Sequence, residues 1–176
     1  TASTCCNVAI PKLPLATTQI DSKVCNQGTI PAEVDKFTML KTLMLNGTQT
    51  EGNLPDMVPL LLKLPALTTL GLGVLTSGTI PPSIKGLVKL ETLNFNFALT
   101  LSGTIPPSIG GLGKLANMNF KGTDLSGVLP ASMGELMKLT MLNLVDTSLR
   151  GTIPAEIDKL TMLEALYLQG SSSLRT

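Results

Sequence analysis

The chain has 176 residues, of which 43% are apolar and 14% are charged, and its formal net charge at pH 7 is +1. This length suits one domain with a substantial core, and the apolar share excludes an intrinsically disordered chain. The 13 basic and 12 acidic residues form no basic run, which argues against nucleic acid as a partner. The apolar runs are too short to span a bilayer, so we expect membrane contact only indirectly, through a partner complex.

The first 27 residues carry all three cysteines, Cys5, Cys6 and Cys25. Their clustering predicts an N-terminal cap with a disulfide, but the odd number leaves the pairing open, and three unpaired thiols are the alternative. A degenerate half-repeat from Leu15 to Ile20 belongs to the same segment. We therefore divide the chain into a cysteine-bearing cap, 1–27, and a repeat region, 28–176.

The repeat region is organised by a Gly-x-apolar-Pro step that begins at positions 28, 52, 78, 103, 127 and 151. Intervals of 24 to 26 residues predict a solenoid of about six repeats, each burying its apolar face against its neighbours. Between the steps an L-x-x-L-x-L hexad recurs, for example from Leu40 to Leu45. Its last four residues alternate, which predicts short strands stacked into a parallel sheet with one face buried.

These motifs resemble the plant-type leucine-rich repeat family, whose pattern is L-x-x-L-x-L-x-x-N-x-L-S-G-x-I-P-x-x-I-G-x-L. The segment LSGTIPPSIGGL, 101–112, matches it almost letter for letter, and the resemblance covers about 28–174. It implies an α/β solenoid, a leucine-rich repeat horseshoe with a concave parallel β-sheet and short helical or 3-10 convex segments, and a role in binding partners. No C-terminal cap follows the sixth repeat, so we expect that the chain continues or that a partner covers this end.

The chain departs from the family at the inward asparagine. It carries Thr48, Thr123 and Thr147 there, with Ala98 or Leu99 in a repeat that is one residue longer. A threonine offers one hydroxyl where asparagine offers a carbonyl and an amide. We therefore expect a thinner ladder of hydrogen bonds between repeats.

The second repeat is three residues longer than the others between its glycine and its next strand. The extra length brings Leu60, Leu61 and Leu62, which cannot all point inward. They predict either a convex contact site for a partner or a longer helical turn that packs against its neighbours.

The stretch IGGLGKL, 109–115, looks at first like a phosphate-binding loop. Ser108 and Leu115 stand where such a loop needs glycine and Ser or Thr, and the same segment recurs without its glycines in other repeats. The chain also contains no histidine, the commonest general base and metal ligand. We expect no nucleotide or other cofactor, no metal, no catalytic residues and no enzymatic activity.

If the hexads form the concave sheet, their alternate residues make a partner-binding face of three columns. This face is neutral and rich in hydrogen-bonding groups, with three stacked asparagines that either bind a partner or satisfy one another across the sheet. The candidate residues are Thr42, Met44, Asn46, Thr69, Thr92, Asn94, Asn96, Asn117, Asn119, Lys121, Asn143, Tyr167 and Gln169.

The leading hypothesis is a non-enzymatic module that recognises a protein or peptide, or alternatively a glycan, through this face. Its alternative is a structural subunit of a larger, membrane-associated assembly. We expect an extracellular, secretory or cell-surface location, with an organelle lumen as the alternative. The one Asn-x-Ser/Thr sequon, Asn46-Gly-Thr48, allows a glycan if the chain is secreted.

Overall fold

The computed structural model describes residues 9–171 and 173–175, so Cys5 and Cys6 of the predicted cap lie outside the described residues. Each coil of the chain contributes one strand to each of two seven-stranded parallel sheets. The first sheet contains β1 (Gln19–Asp21), β3 (Thr42–Met44), β5 (Thr69–Gly71), β7 (Thr92–Asn94), β9 (Asn117–Asn119), β11 (Met141–Asn143) and β13 (Ala165–Tyr167). The second contains β2 (Gln27–Thr29), β4 (Gln49–Asn53), β6 (Leu75–Thr79), β8 (Thr100–Gly103), β10 (Asp124–Gly127), β12 (Ser148–Thr152) and β14 (Ser173–Arg175).

The first sheet is the parallel sheet that the hexads predict on the concave side. Its strands follow one another in chain order, β1-β3-β5-β7-β9-β11-β13. The middle residues Leu43, Leu70 and Leu93 pair in register and are fully buried, so the residues on either side of them face away from the core. The N-terminal segment supplies β1, in which Ile20 continues the buried row.

The second sheet was not predicted from the sequence. Its strands alternate only once, as in β8, where buried Leu101 lies between Thr100 and Ser102, and so short a pattern carries little signal. The step glycines lie in or at the end of these strands, and Gly103 and Gly127 have φ values of 80° and 81°, which glycine adopts without strain.

Helical segments close each coil on the side predicted to be convex. Most are 3-10 turns preceded by the proline of the step, which has no N–H to satisfy. These turns are Ile10–Lys12, Ala32–Lys36, Pro82–Gly86, Pro107–Gly111, Ala131–Glu135 and Ala155–Lys159. The lengthened second repeat forms an α-helix instead, α1 (Leu54–Leu61).

One continuous apolar core runs along the solenoid from Ile10 to Leu160. Its largest fully buried side chains, Phe95 and Phe120, come from neighbouring coils and stack with their ring centroids 5.8 Å apart. Such contacts between coils mean that no coil buries its own apolar face alone. The stability of each repeat therefore depends on its neighbours.

The threonines that replace the inward asparagine are buried and bond mostly within their own coils. The Oγ1 of Thr123 donates to the Phe120 carbonyl at 2.8 Å, and Thr48 and Thr147 make the same bond three residues back. Ala98, not Leu99, fills this position in the longer repeat, because Ala98 is fully buried whereas Leu99 is 65% exposed. The ladder between coils is thus thin, as expected.

Candidate functional site

The outward face of the first sheet carries the three predicted columns. The strand register aligns the residues of the first two columns from Thr42 to Ala165 and from Met44 to Tyr167. Asn46, Asn96, Lys121 and Gln169 follow their strands two residues further on, in the third column. The strand register therefore aligns these residues as the repeat predicts. In addition, β1 extends the first two columns by Gln19 and Asp21, which the sequence analysis missed.

The three stacked asparagines do not satisfy one another, so that alternative is wrong. Instead, each carboxamide oxygen accepts a 3.1 Å hydrogen bond from the backbone N–H two residues later in the same coil. These bonds join Asn94 to Asn96, Asn119 to Lys121 and Asn143 to Val145. An asparagine oxygen bonds its own backbone in this way because the short side chain reaches the residue two positions on. The amide of each side chain is thereby left as a fixed donor.

These amide groups have no protein acceptor within the described residues. The three side chains are half-buried, and the hydrogen bond of each oxygen holds its side chain in one orientation. The Nδ2 group carries two hydrogen atoms that can be donated. The centre of the face therefore presents a row of oriented donors, one from each of three adjacent strands.

Asn46 behaves differently from the other asparagines of the face. Its Nδ2 lies 2.8 Å from the Asn96 Oδ1, 2.9 Å from the Asn94 carbonyl oxygen and 3.3 Å from the Leu72 carbonyl oxygen. Its own Oδ1 is buried without a hydrogen-bond partner. Asn46 is thus a structural clamp that joins its own coil to the next two, and its amide is not free to bind a partner.

Gly71 makes this clamp possible. A Cβ atom at position 71 would meet the Asn46 Oδ1 and the Met44 sulfur, so both side chains lie over the glycine backbone. Gly71 and Gly73 are themselves buried beneath side chains of the preceding coil. This end of the face is filled by the protein itself.

An aromatic residue and a lysine meet at the edge of the face, beside the asparagine row. The Lys121 Nζ lies 5.4 Å from the centroid of the Phe97 ring, within the range of a cation–π interaction. Phe97 has a φ of 61° and Asp146 has a φ of 55°, whereas glycines with positive φ occupy the equivalent positions 47, 122 and 170. The sequence analysis missed Phe97, although the glycines at its equivalent positions could have drawn attention to it.

The three leucines of the lengthened repeat divide among three environments. Leu61 is buried, Leu60 packs against the core, and Leu62 is 41% exposed with its side chain lying over Gly86 of the next coil. The interpretation that they cannot all point inward is confirmed. The extra residues form the helix α1, which packs against the adjacent coils. Leu62 is the one of the three leucines that is exposed.

Neither membrane-spanning nor metal-binding features occur in the part of the chain that the structure describes. None of its helices has the length and apolar character to span a bilayer. Within the same residues, histidine, cysteine and carboxylate side chains form no group of three that could hold a metal ion.

Solved structures with a similar architecture include the ectodomains of plant receptors. The ectodomain of the Arabidopsis receptor kinase HAESA, solved with an N-terminally extended IDA peptide hormone, matches with a TM-score of 0.74 and 30% identity over 84% of this chain. The plant peptide hormone receptor RGFR1 in complex with RGF2 matches with a TM-score of 0.72 and 29% identity over 90%. Pollen receptor kinase 3 matches with a TM-score of 0.67 and 26% identity over 85% of this chain and 76% of its own.

This chain spans 25% of the HAESA chain and 29% of the RGFR1 chain. Models of known protein families give no match to the sequence, and neither do curated protein sequences. The repeated motif, the two parallel sheets and the structural likenesses together identify the chain as a plant-type leucine-rich repeat solenoid.

Proposed function

We propose that this chain is a non-enzymatic recognition module that binds a protein or peptide through the outward, concave face of the first sheet. The observation that carries the proposal is the row of oriented amide donors on Asn94, Asn119 and Asn143. Two of the receptors that it resembles are solved as complexes, the HAESA ectodomain with a peptide hormone and RGFR1 with RGF2, which supports the same class of function here.

The donors suit recognition because they are already ordered before a partner arrives. Each asparagine oxygen is engaged by its own backbone, so binding freezes few additional side-chain rotations. The donors recur at the strand spacing of about 4.8 Å, and carbonyl groups of a bound polypeptide can accept from them. A neutral face of this kind gains specificity from hydrogen bonds, because a partner that lacks acceptors leaves the desolvated amides unpaired.

The test uses the immobilised whole chain and an extract of proteins and peptides from the source organism. The wild type should retain a partner that the triple variant N94A/N119A/N143A releases. Asn119→Asp is a finer variant, because it keeps the oxygen that the Lys121 N–H needs and removes the amide donor. The exposed Ser83→Ala is the matched convex control, and equal retention by all four proteins would refute the proposal.

The alternative, a structural subunit of a larger assembly, draws support from exposed apolar side chains outside the face. Leu62 and Val88, which are 41% and 59% exposed, flank the same surface depression beside α1. Size-exclusion chromatography with light scattering separates the two functions. A recognition module stays monomeric in isolation, whereas a subunit that needs its neighbours self-associates or aggregates.

An extracellular or cell-surface location follows from the same proposal, as does a disulfide that closes the N-terminal cap, 1–27. Cys25 is fully buried, and the other two cysteines of the sequence, Cys5 and Cys6, belong to the same segment, which supports a bond between Cys25 and one of them. Mass spectrometry of peptides from the unreduced protein tests this pairing. Alkylation of all three thiols without prior reduction would exclude it.

A further inference from the structure

Phe97 occupies a backbone position that disfavours a bulky side chain. Its φ of 61° lies in the left-handed region, which glycine enters freely and a side chain with a Cβ atom enters only with strain. Residues held in this region persist because their surroundings impose the conformation, and they concentrate at functional sites.

The surroundings of Phe97 explain how the conformation is held. This repeat has one extra residue, and buried Ala98 anchors the turn while the Leu99 N–H donates to the Phe97 carbonyl at 2.9 Å. The ring extends onto the next coil and covers Gly122, where an added Cβ would lie 2.8 Å from a ring carbon. Phe97 nevertheless remains 45% exposed, so the turn leaves much of the ring accessible to solvent.

Lys121 is the only cation in the three columns, and it lies against this ring. It forms no salt bridge within the described residues, where the one such bond joins Lys63 to Asp35. The Phe97 ring limits the positions of the ammonium group, while the group keeps its three donors. The other charged group of the columns, Asp21, lies on β1 at the far end of the sheet. An ordered ammonium group without an ion pair favours a partner that brings a carboxylate.

The geometry points to a specific subsite: Lys121 binds the carboxylate of an aspartate or glutamate in an extended peptide, while Phe97 packs against an apolar side chain next to it. The inference rests on the proposed function and names the chemistry of the partner. The amides of Asn94 and Asn119 lie beside this pair and would hold the backbone of the same peptide.

Blocked peptides test the subsite directly, because their only charge is on the chosen side chain. The probes are acetyl-Gly-Asp-Leu-Gly-amide and its analogues with Asn in place of Asp, Lys in place of Asp, or Gly in place of Leu. Binding to the whole, isotope-labelled chain is followed by NMR chemical shifts of the Lys121 and Phe97 amides. We expect saturable binding of the Asp-Leu peptide and about tenfold or greater weakening for each analogue, as one lost charge-assisted bond or apolar contact predicts.

Two variants separate binding from folding. Lys121→Met keeps the apolar stem and removes the charge, and Phe97→Gly removes the ring while suiting the positive φ, so it should fold with an equal or higher melting temperature. Both should lose the Asp-Leu preference, and Lys114→Met, outside the columns, should keep it.

Two results would overturn the inference. One is no shift at Lys121 and Phe97 with any peptide up to the solubility limit, and the other is equal affinity of Phe97→Gly and the wild type for the Asp-Leu peptide. If the peptides shift Asn94, Asn119 and Asn143 without dependence on the acid, the subsite is wrong and the proposed function stands. The proposed function is tested by the separate extract experiment. It fails if the triple variant N94A/N119A/N143A still retains the partner that the wild type binds.

Discussion

The Asn46 Nδ2 group donates a 2.9 Å hydrogen bond to the backbone carbonyl of Asn94, although the two residues belong to coils that are not neighbours. Gly71 lies between them, paired in register with Met44 on one side and Asn94 on the other. Because Gly71 lacks a Cβ atom, the Asn46 side chain can hydrogen-bond across it and link three successive coils on the face.

Adding a Cβ at position 71 should break this link. We expect Gly71→Ala to lower the free energy of unfolding by about 1–3 kcal/mol, because the methyl group overpacks a site already filled by Asn46 and Met44. Urea denaturation measures the change. Gly113→Ala is the matched control, since no atom lies within 4 Å of its added Cβ, and it should change stability by no more than about 0.5 kcal/mol. Equal destabilisation of both variants would contradict the clamp.

The same contacts predict that the Asn46 sequon stays unmodified. A glycan would be attached to the Nδ2 that already faces the Asn96 Oδ1 and the Asn94 carbonyl, and Thr48 of the sequon is buried. When the chain is produced in a secretory host, its intact mass should be unchanged by an N-glycosidase. A stoichiometric mass loss on that treatment, with the protein still folded, would show that the clamp is dispensable.

The backbone at Phe97 gives a prediction about stability. Phe97→Gly and Phe97→Ala both delete the ring, but only glycine suits a φ of 61° without strain. The glycine variant should therefore unfold with a free energy about 1–2 kcal/mol higher than the alanine variant. Chemical denaturation of the pair measures this difference. An alanine variant as stable as the glycine variant would mean that the turn relaxes when the ring is lost.

Each buried threonine should stabilise the fold through the hydrogen bond that its hydroxyl donates to a backbone carbonyl. Thr123→Val preserves volume and leaves the Phe120 carbonyl without its 2.8 Å hydroxyl donor, so we expect a loss of about 0.5–1.5 kcal/mol. Thr104→Val is the control, because Thr104 is exposed, and its unfolding free energy should stay within about 0.5 kcal/mol of the wild type. Thermal and urea unfolding report both values.

The columns of the face could be predicted from the sequence because the repeat fixes their register. Once each hexad is a strand, the spacing of 24 to 26 residues stacks Asn94, Asn119 and Asn143 without further information. The extra length likewise predicts that the three leucines of the lengthened repeat cannot all point inward, but not that Leu61 is the buried residue and Leu62 the exposed one.

The contacts that give the face its chemistry could not be predicted in the same way. The stacked asparagines were equally compatible with bonds to each other or to their own backbone, because an amide offers a donor and an acceptor to either. The conformation of Phe97 depends on one inserted residue, whose place in the turn is decided by whether Ala98 or Leu99 is buried. Such choices rest on packing between coils, which the repeat pattern does not encode.

Hydrogen–deuterium exchange of the whole chain, with and without the partner that the extract supplies, tests the central claim most directly. The recognition face predicts slowed exchange at residues 92–96 and 117–121 when the partner is bound, with 54–62 unchanged. Protection confined to 54–62, with the first sheet exchanging as in the free protein, would contradict the account and would place the partner on the convex helix.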